Sequence, residues 1–217
     1  MTKIVRETVA DRTVALLRRR ILSGELRPGD AVTEEAMAAE LGISRPTVRQ
    51  ALTALELSGL LTRHPSTRVL EVTTLSREDI VEIYRTRRFL ELAGVDAAAD
   101  LPPEGLVPVQ QTVLQMEKAF QEDDVDEFVQ ADYRCHQAVV ALLRSRYLSE
   151  MYDGLLAKLR LAVTQVTAEE QDNEKTLARH REFCELLTAG KIDRARANLE
   201  QRLLEAEQSI LPKATSA

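Results

Sequence analysis

Apolar side chains recur at helical spacing along most of the chain, and the interruptions of that rhythm mark out its elements. Val9, Leu16, Leu17, Ile21 and Leu22 lie on one side of a helix expected over residues 6–23, with Gly24 placed to end it. Pro28-Gly29 makes a turn, after which Thr33 offers a capping hydroxyl and Glu34 and Glu35 fall in the first turn of a short helix reaching Leu41. Gly42 breaks that helix and Ile43 fills the turn. Ser44 caps a third helix, which tolerates Pro46 in its first turn and carries the stripe Val48, Leu52 and Leu55. Beyond Gly59 the rhythm changes: Leu60 to His64 and Arg68 to Val72 read as two strands joined across Pro65-Ser66-Thr67.

A joint follows at Thr73-Thr74-Leu75, and Ser76 with Asp79 resembles a capping box that opens a new helical stretch. From there the helical period persists, with breaks at Pro102-Pro103, Glu122–Asp124, Arg144–Arg146, Gln171–Asn173 and Gly190, which leaves six helices. The expected fold is mainly α: an N-terminal winged helix-turn-helix over residues 1–75, a C-terminal all-α six-helix bundle over 76–211, and a tail over 212–217. Composition agrees, since 44% hydrophobic and 29% charged residues suit a folded globular chain and 4% aromatic residues without Trp suit helices. Cys135 and Cys184 stand alone, without the repeated spacing of a disulfide framework or zinc ribbon, and are expected as reduced packing residues. No basic-then-apolar leader and no membrane-length apolar run is present, so a cytoplasmic location away from membranes is expected.

Charge changes the picture only when it is divided. The chain carries −6 overall, yet residues 1–75 hold 11 Lys+Arg against 9 Asp+Glu, whereas residues 76–217 hold 18 against 26. Arg45 and Arg49 are four apart and project opposite the apolar stripe, where guanidinium groups suit both phosphates and guanine edges. Ser44 and Thr47 flank them at the helix start. Two such arginines also occur on plainly solvated helices. The hairpin directly after the third helix, with Arg63, His64, Ser66, Thr67 and Arg68, turns the balance toward double-stranded DNA as the partner, read from the major groove by the third helix and straddled by the wing.

These residues carry a family resemblance. Ile21, Gly24, Leu26, Pro28-Gly29, Glu34, the run Leu41 to Leu52, Leu55 and Gly59-Leu60-Leu61 resemble the GntR family of bacterial regulators. The resemblance implies that Arg45 and Arg49 are recognition-helix arginines. Pro46-Thr47 reverses the commoner order, and Ser66-Thr67 stands where the family's wing usually has Arg-Gly.

In the C-terminal part, Asp132 and His136 are four apart on one helix, and His180 lies on a later helix able to pack against it. Two imidazoles and a carboxylate suit zinc, nickel, manganese or iron, although such a pair is more often a surface hydrogen bond. Tyr84-x-x-Arg87-x-x-Leu90-Glu91, Asp132-x-x-x-His136, His180-Arg181-Glu182 and Gly190 with Ala195 and Leu199 resemble the FCD-type ligand-binding domain of the FadR subfamily, its VanR-like branch in helix number. That resemblance implies a homodimeric transcriptional regulator, most simply a repressor. It also implies a divalent metal (Zn, Ni or Mn) held by Asp132, His136 and His180, and a small carboxylate effector contacted by Tyr84, Arg87 and Arg202. Arg202 occupies the place of a third metal-binding His. Three arrangements follow: Arg202 turns outward and water completes the metal site, an anion bridges metal and Arg202, or Arg202 replaces the metal and pairs with Asp132. Two other classes compete: a non-haem metalloenzyme using Asp132, His136 and His180, and an architectural DNA-binding protein without a ligand. The chain has no nucleophile elbow, phosphate loop or paired catalytic carboxylates, so no enzymatic activity is expected.

Overall fold

The structure, a computed structural model, describes residues 8–163 and 172–211. They fall into two compact units, one comprising the residues up to Ser76 with a segment from Ala157, the other Arg77–Leu156 and the helices that follow. The first unit contains α1 (Val9–Leu22), α2 (Glu34–Leu41) and α3 (Arg45–Leu57), followed by strands β1 (Leu61–Arg63) and β2 (Leu70–Val72). Each helix begins where a side chain satisfies its free N–H groups. Thr8 and Asp11 form a reciprocal capping box on α1, Thr33 accepts from the Ala36 N–H on α2, and Ser44 accepts from the Thr47 N–H on α3. Gly42 ends α2 at φ +65°, a conformation glycine adopts without strain.

The buried side of α1 is Ala10, Thr13, Leu17 and Ile21; Val9, assigned to that face by its spacing, is exposed because the stripe begins one residue later. Leu17 and Ile21 join Val48, Leu52, Leu55, Leu60 and Val72 in one core, each fully buried aliphatic contributing about 1.5–3 kcal/mol. The strands are shorter than their residue types suggest. Arg68 has φ +60° and its N–H donates to the His64 carbonyl at 2.9 Å, so the turn consumes both residues and pairing starts at Arg63 opposite Leu70. A third strand-like stretch, absent from the sequence reading, lies along β2: Ala31 bridges Glu71, and the Val32 N–H donates to the Leu70 carbonyl at 2.7 Å.

The second unit is built from six α-helices among the described residues: α4 (Arg77–Ala97), α5 (Val107–Gln121), α6 (Val125–Ala141), the first part of α7 (Arg146–Val163), α8 (Asn173–Thr188) and α9 (Ile192–Ile210). Here α4 packs on α6 and α9, α5 packs on α6 and α8, and α8 packs on α9. The α4–α6 crossing depends on Gly94, where a Cβ would stand 2.2 Å from the Val139 carbonyl oxygen. The expected break at Gln171–Asn173 falls partly outside the described residues, and the expected tail over 212–217 falls wholly outside them. No described helix is long and apolar enough to cross a membrane.

Candidate functional site

Two polar surfaces stand out. The first is the exposed side of α3. The capped turn between α2 and α3 fixes how the helices cross, and this brings the acids at the start of α2 against the arginines at the start of α3. Arg49 is gripped by Glu34 through Nε at 2.8 Å and Nη2 at 2.9 Å, while Arg45 is paired with Glu35. The Arg49 hydrogen bond holds the Glu34 carboxyl below its usual range. On the hairpin, Arg63 pairs with Glu56 at 2.8 Å. His64 serves the turn: its Nδ1 accepts from the Ser66 and Thr67 N–H groups, each at 3.3 Å, and lies 3.1 Å from the Ser66 hydroxyl. Ser66, Thr67 and Arg68 are exposed around it. Ser44, Arg45, Thr47 and Arg49 therefore share the start of α3, and the wing residues share one tip. The sequence reading assigned Glu34 and Glu35 to the helix dipole alone and missed them, with Glu56, as partners of the arginines; Glu34 lies fifteen positions from Arg49, beyond any local periodicity.

The second is a buried polar cluster within the helical unit. From α4 come Tyr84, Arg87 and Glu91, spaced to lie on one helix face; all are buried, and Glu91 is wholly enclosed. Glu91 receives Arg87 Nε at 2.8 Å, the Tyr152 hydroxyl from α7, and His136 Nδ1 at 2.6 Å from α6. Burial opposes the ionisation of Glu91, but Arg87 and the His136 and Tyr152 hydrogen bonds outweigh it and hold the carboxyl at about 2. Burial pushes Tyr84, which lies beneath the Arg87 guanidinium, up to about 12. Tyr152, 61 positions from Glu91, was not anticipated.

One turn before His136, Asp132 faces the same place, and α8 adds His180: its Nε2 lies 3.0 Å from Asp132 Oδ1, with His136 Nε2 at 3.9 Å from the same oxygen. Burial opposes ionisation of Asp132, yet the His180 contact and the positive charge nearby keep it well below the carboxylate range. Ligand atoms of Asp132, His136 and His180 all lie within 4.8 Å of one another, a spacing compatible with a shared cation. The outer nitrogens fix the rings. His180 Nδ1 stands 2.8 Å from the Thr176 carbonyl, which can only accept, so Nδ1 carries the proton. His136 Nδ1 is directed in the same sense at the Glu91 carboxylate.

Arg202, from α9, reaches this place too. Its Nη2 hydrogen-bonds His180 Nε2, its guanidinium lies 5.8 Å from the Phe183 ring centre, and its buried Nη1 has no hydrogen-bond partner among the described residues. Burial and Arg202 together lower the His180 pKa. The cluster thus unites Tyr84, Arg87, Asp132, His136, His180 and Arg202, but places Arg87 in an internal ion pair and Arg202 on a histidine rather than in a hydrogen bond with Asp132. Cys135, close by, is a free buried thiol pushed up to about 12 by burial; Cys184 is also free.

Comparison with known proteins finds a match for each part of the chain. Residues 82–204 match the FCD domain, and residues 9–70 match bacterial regulatory proteins of the gntR family. The gluconate operon transcriptional repressor of Bacillus subtilis (strain 168) is 30% identical over 140 residues, 64% of this chain and 57% of that protein. An HTH-type transcriptional regulator of the same organism is 28% identical over 139 residues, 63% of this chain and 62% of its own length. The matched stretches thus span less than two thirds of these relatives. A crystal structure described as a transcriptional regulator GntR from Rhodococcus sp. RHA1 superposes with a TM-score of 0.83 at 28% identity, covering 95% of this chain and 99% of that one.

Proposed function

Because the chain belongs to the GntR-type bacterial regulatory proteins that carry an FCD domain, we propose that it is a cytoplasmic, homodimeric transcriptional repressor whose grip on operator DNA is set by a small organic acid. The observation that carries the DNA reading is the exposed start of α3, where Ser44 caps the helix and Arg45 and Arg49 stand free of the core. Glu34 holds Arg49 through Nε and Nη2, one edge of its guanidinium, which leaves the Nη1 donors of the exposed side chain for a guanine or phosphate. Arg63, His64, Ser66, Thr67 and Arg68 supply wing contacts beside it. Six helices among the described residues support the VanR-like branch.

The effector reading rests on Arg202. Its unpartnered Nη1 is a buried donor, and a carboxylate is the group that satisfies it best. Tyr84 and Arg87 frame the same cluster, with Arg87 acting through Glu91 rather than as an open donor. Binding there biases the relative orientation of the paired DNA-binding units and so changes operator affinity. For a zinc, nickel or manganese ion, Asp132, His136 and His180 provide a donor set, but the His180 lone pair is already taken by Arg202. As arranged, these residues do not fit a dication.

The family consists of regulators and not enzymes, which sets aside the metalloenzyme reading of Asp132, His136 and His180. An architectural protein without ligand predicts no change of melting temperature with organic acids, whereas the proposed repressor rises in Tm with its effector. The direct test is Arg49→Ala. Loss of a base contact costs about 1–3 kcal/mol, so operator affinity measured by fluorescence anisotropy falls about 5- to 150-fold while the circular dichroism melt stays put. Unchanged affinity would remove α3 from the interface.

A further inference from the structure

We infer that Arg202 is the cation of the sensor cluster: its guanidinium, bonded to His180 beside the point toward which Asp132, His136 and His180 converge, supplies the positive charge there, and the domain works without a metal ion. This rests on the reading of the cluster as the sensor site and goes further in naming what holds it together.

His180 Nδ1 faces the Thr176 carbonyl at 2.8 Å and therefore carries hydrogen, which leaves a lone pair on Nε2 of the neutral ring. That lone pair looks at Asp132 Oδ1 across 3.0 Å, an arrangement in which two electron-rich atoms face each other with no proton between them. The opposite tautomer relieves this contact but sets Nδ1 against the carbonyl and an N–H against the Arg202 guanidinium, and the doubly protonated ring satisfies Thr176 and Asp132 but sets its Nε2–H against the Arg202 donor. The donor directed at Nε2 is Arg202 Nη2, so the positive group that reconciles histidine with carboxylate belongs to the chain itself.

Charge leads to the same place. At neutral pH the ionised groups of the cluster are Arg87 and Arg202 against Glu91 and Asp132, which balance. A dication added to this set leaves two uncompensated positive charges beside a guanidinium in a buried setting, and a monocarboxylate effector cancels only one of them. Replacing Arg202 by a neutral ligand reverses the situation: one negative charge is left over, and a dication is attracted. Arg202 is also held in place. Phe183 lies under its guanidinium plane, and the fully buried Leu199 and Leu203 seat this stretch of α9.

The experiment compares wild type, Asp132→Ala, Arg202→His, Arg202→Ala and Arg202→His/Asp132→Ala, all without a His-tag. Each is incubated with zinc chloride, dialysed without chelator, and assayed for zinc per chain by elemental mass spectrometry and for a zinc-dependent shift in Tm. We expect wild type to retain far less than one zinc per chain with no Tm shift, Arg202→His to retain close to one with a raised Tm, and the double variant to lose it. Near-stoichiometric zinc in wild type, abolished by Asp132→Ala, overturns the inference. So does a folded Arg202→His that stays zinc-free. If Arg202→His does not fold, Arg202→Ala decides in its place, with zinc uptake above wild type expected and equal uptake overturning the inference. Operator binding of wild type in zinc-free buffer is measured alongside. Its loss counts against the repressor reading while leaving the zinc result to judge Arg202.

Discussion

At the scale of single residues, Glu91 is the group on which the buried polar cluster leans. It lies wholly inside the helical unit and answers Arg87, His136 and Tyr152 at once. Removing one member of a buried pair leaves the other charge stranded, which costs about 3–5 kcal/mol. Glu91→Ala should therefore lower stability by that order in urea unfolding, and an unchanged midpoint would show that Arg87 finds another partner. The pH dependence has a definite sign. Folding lowers the Glu91 pKa from the ordinary 4.5 to about 2, so its contribution is complete above 4.5 and is lost as pH falls toward 2. In acid titrations followed by circular dichroism, wild type should lose stability through that window more steeply than Glu91→Gln. Part of this was legible from spacing alone. Asp132 and His136 announce themselves four apart, as do Arg87 and Glu91; but spacing does not say whether an arginine spends its donors on an internal acid or a ligand. Tyr152 carries no local signal because a helix crossing, not a period, delivers it; Thr176 lies one turn before His180 on α8, but it acts through its backbone carbonyl, which any residue type would supply.

At the scale of elements, the helix-turn-helix was readable because each boundary is a chemical event: a hydroxyl cap at Thr33, a left-handed glycine at 42, a hydroxyl cap at Ser44. The strands were less so. Arg68 sits in the left-handed region despite its side chain, and the Ala31 bridge to Glu71 is too short to impose an alternating pattern. The α4–α6 crossing depends on an absence of atoms. A methyl group at Gly94 meets the Val139 carbonyl oxygen at 2.2 Å and its carbon at 2.9 Å, and backbone does not yield as a side-chain tip does. Overpacking of this kind costs about 1–3 kcal/mol. Gly94→Ala should lower Tm and, by moving α4 against α6, disturb the Glu91–His136 contact; a variant as stable as wild type would mean the helices separate freely.

At the scale of the whole molecule, fold class followed from where helical rhythm stops and starts, and the uneven charge of the two parts pointed to which one meets DNA. Assembly did not follow, because a surface that pairs with its own copy need not break any period. A lone winged helix makes few base contacts, and two half-sites read together restore affinity and palindromic specificity. Light scattering after size exclusion should accordingly give about twice the chain mass, and a monomer at micromolar concentration would require a different account of operator recognition. Arg202 has a consequence of another order. Codons CGU and CGC for arginine lie one base from the histidine codons CAU and CAC. With Asp132, His136 and His180 already within 4.8 Å of one another, an inferred metal-free sensor whose Arg202 is written with either codon would stand one point mutation from one that answers to metal supply, with the rest of the gene untouched.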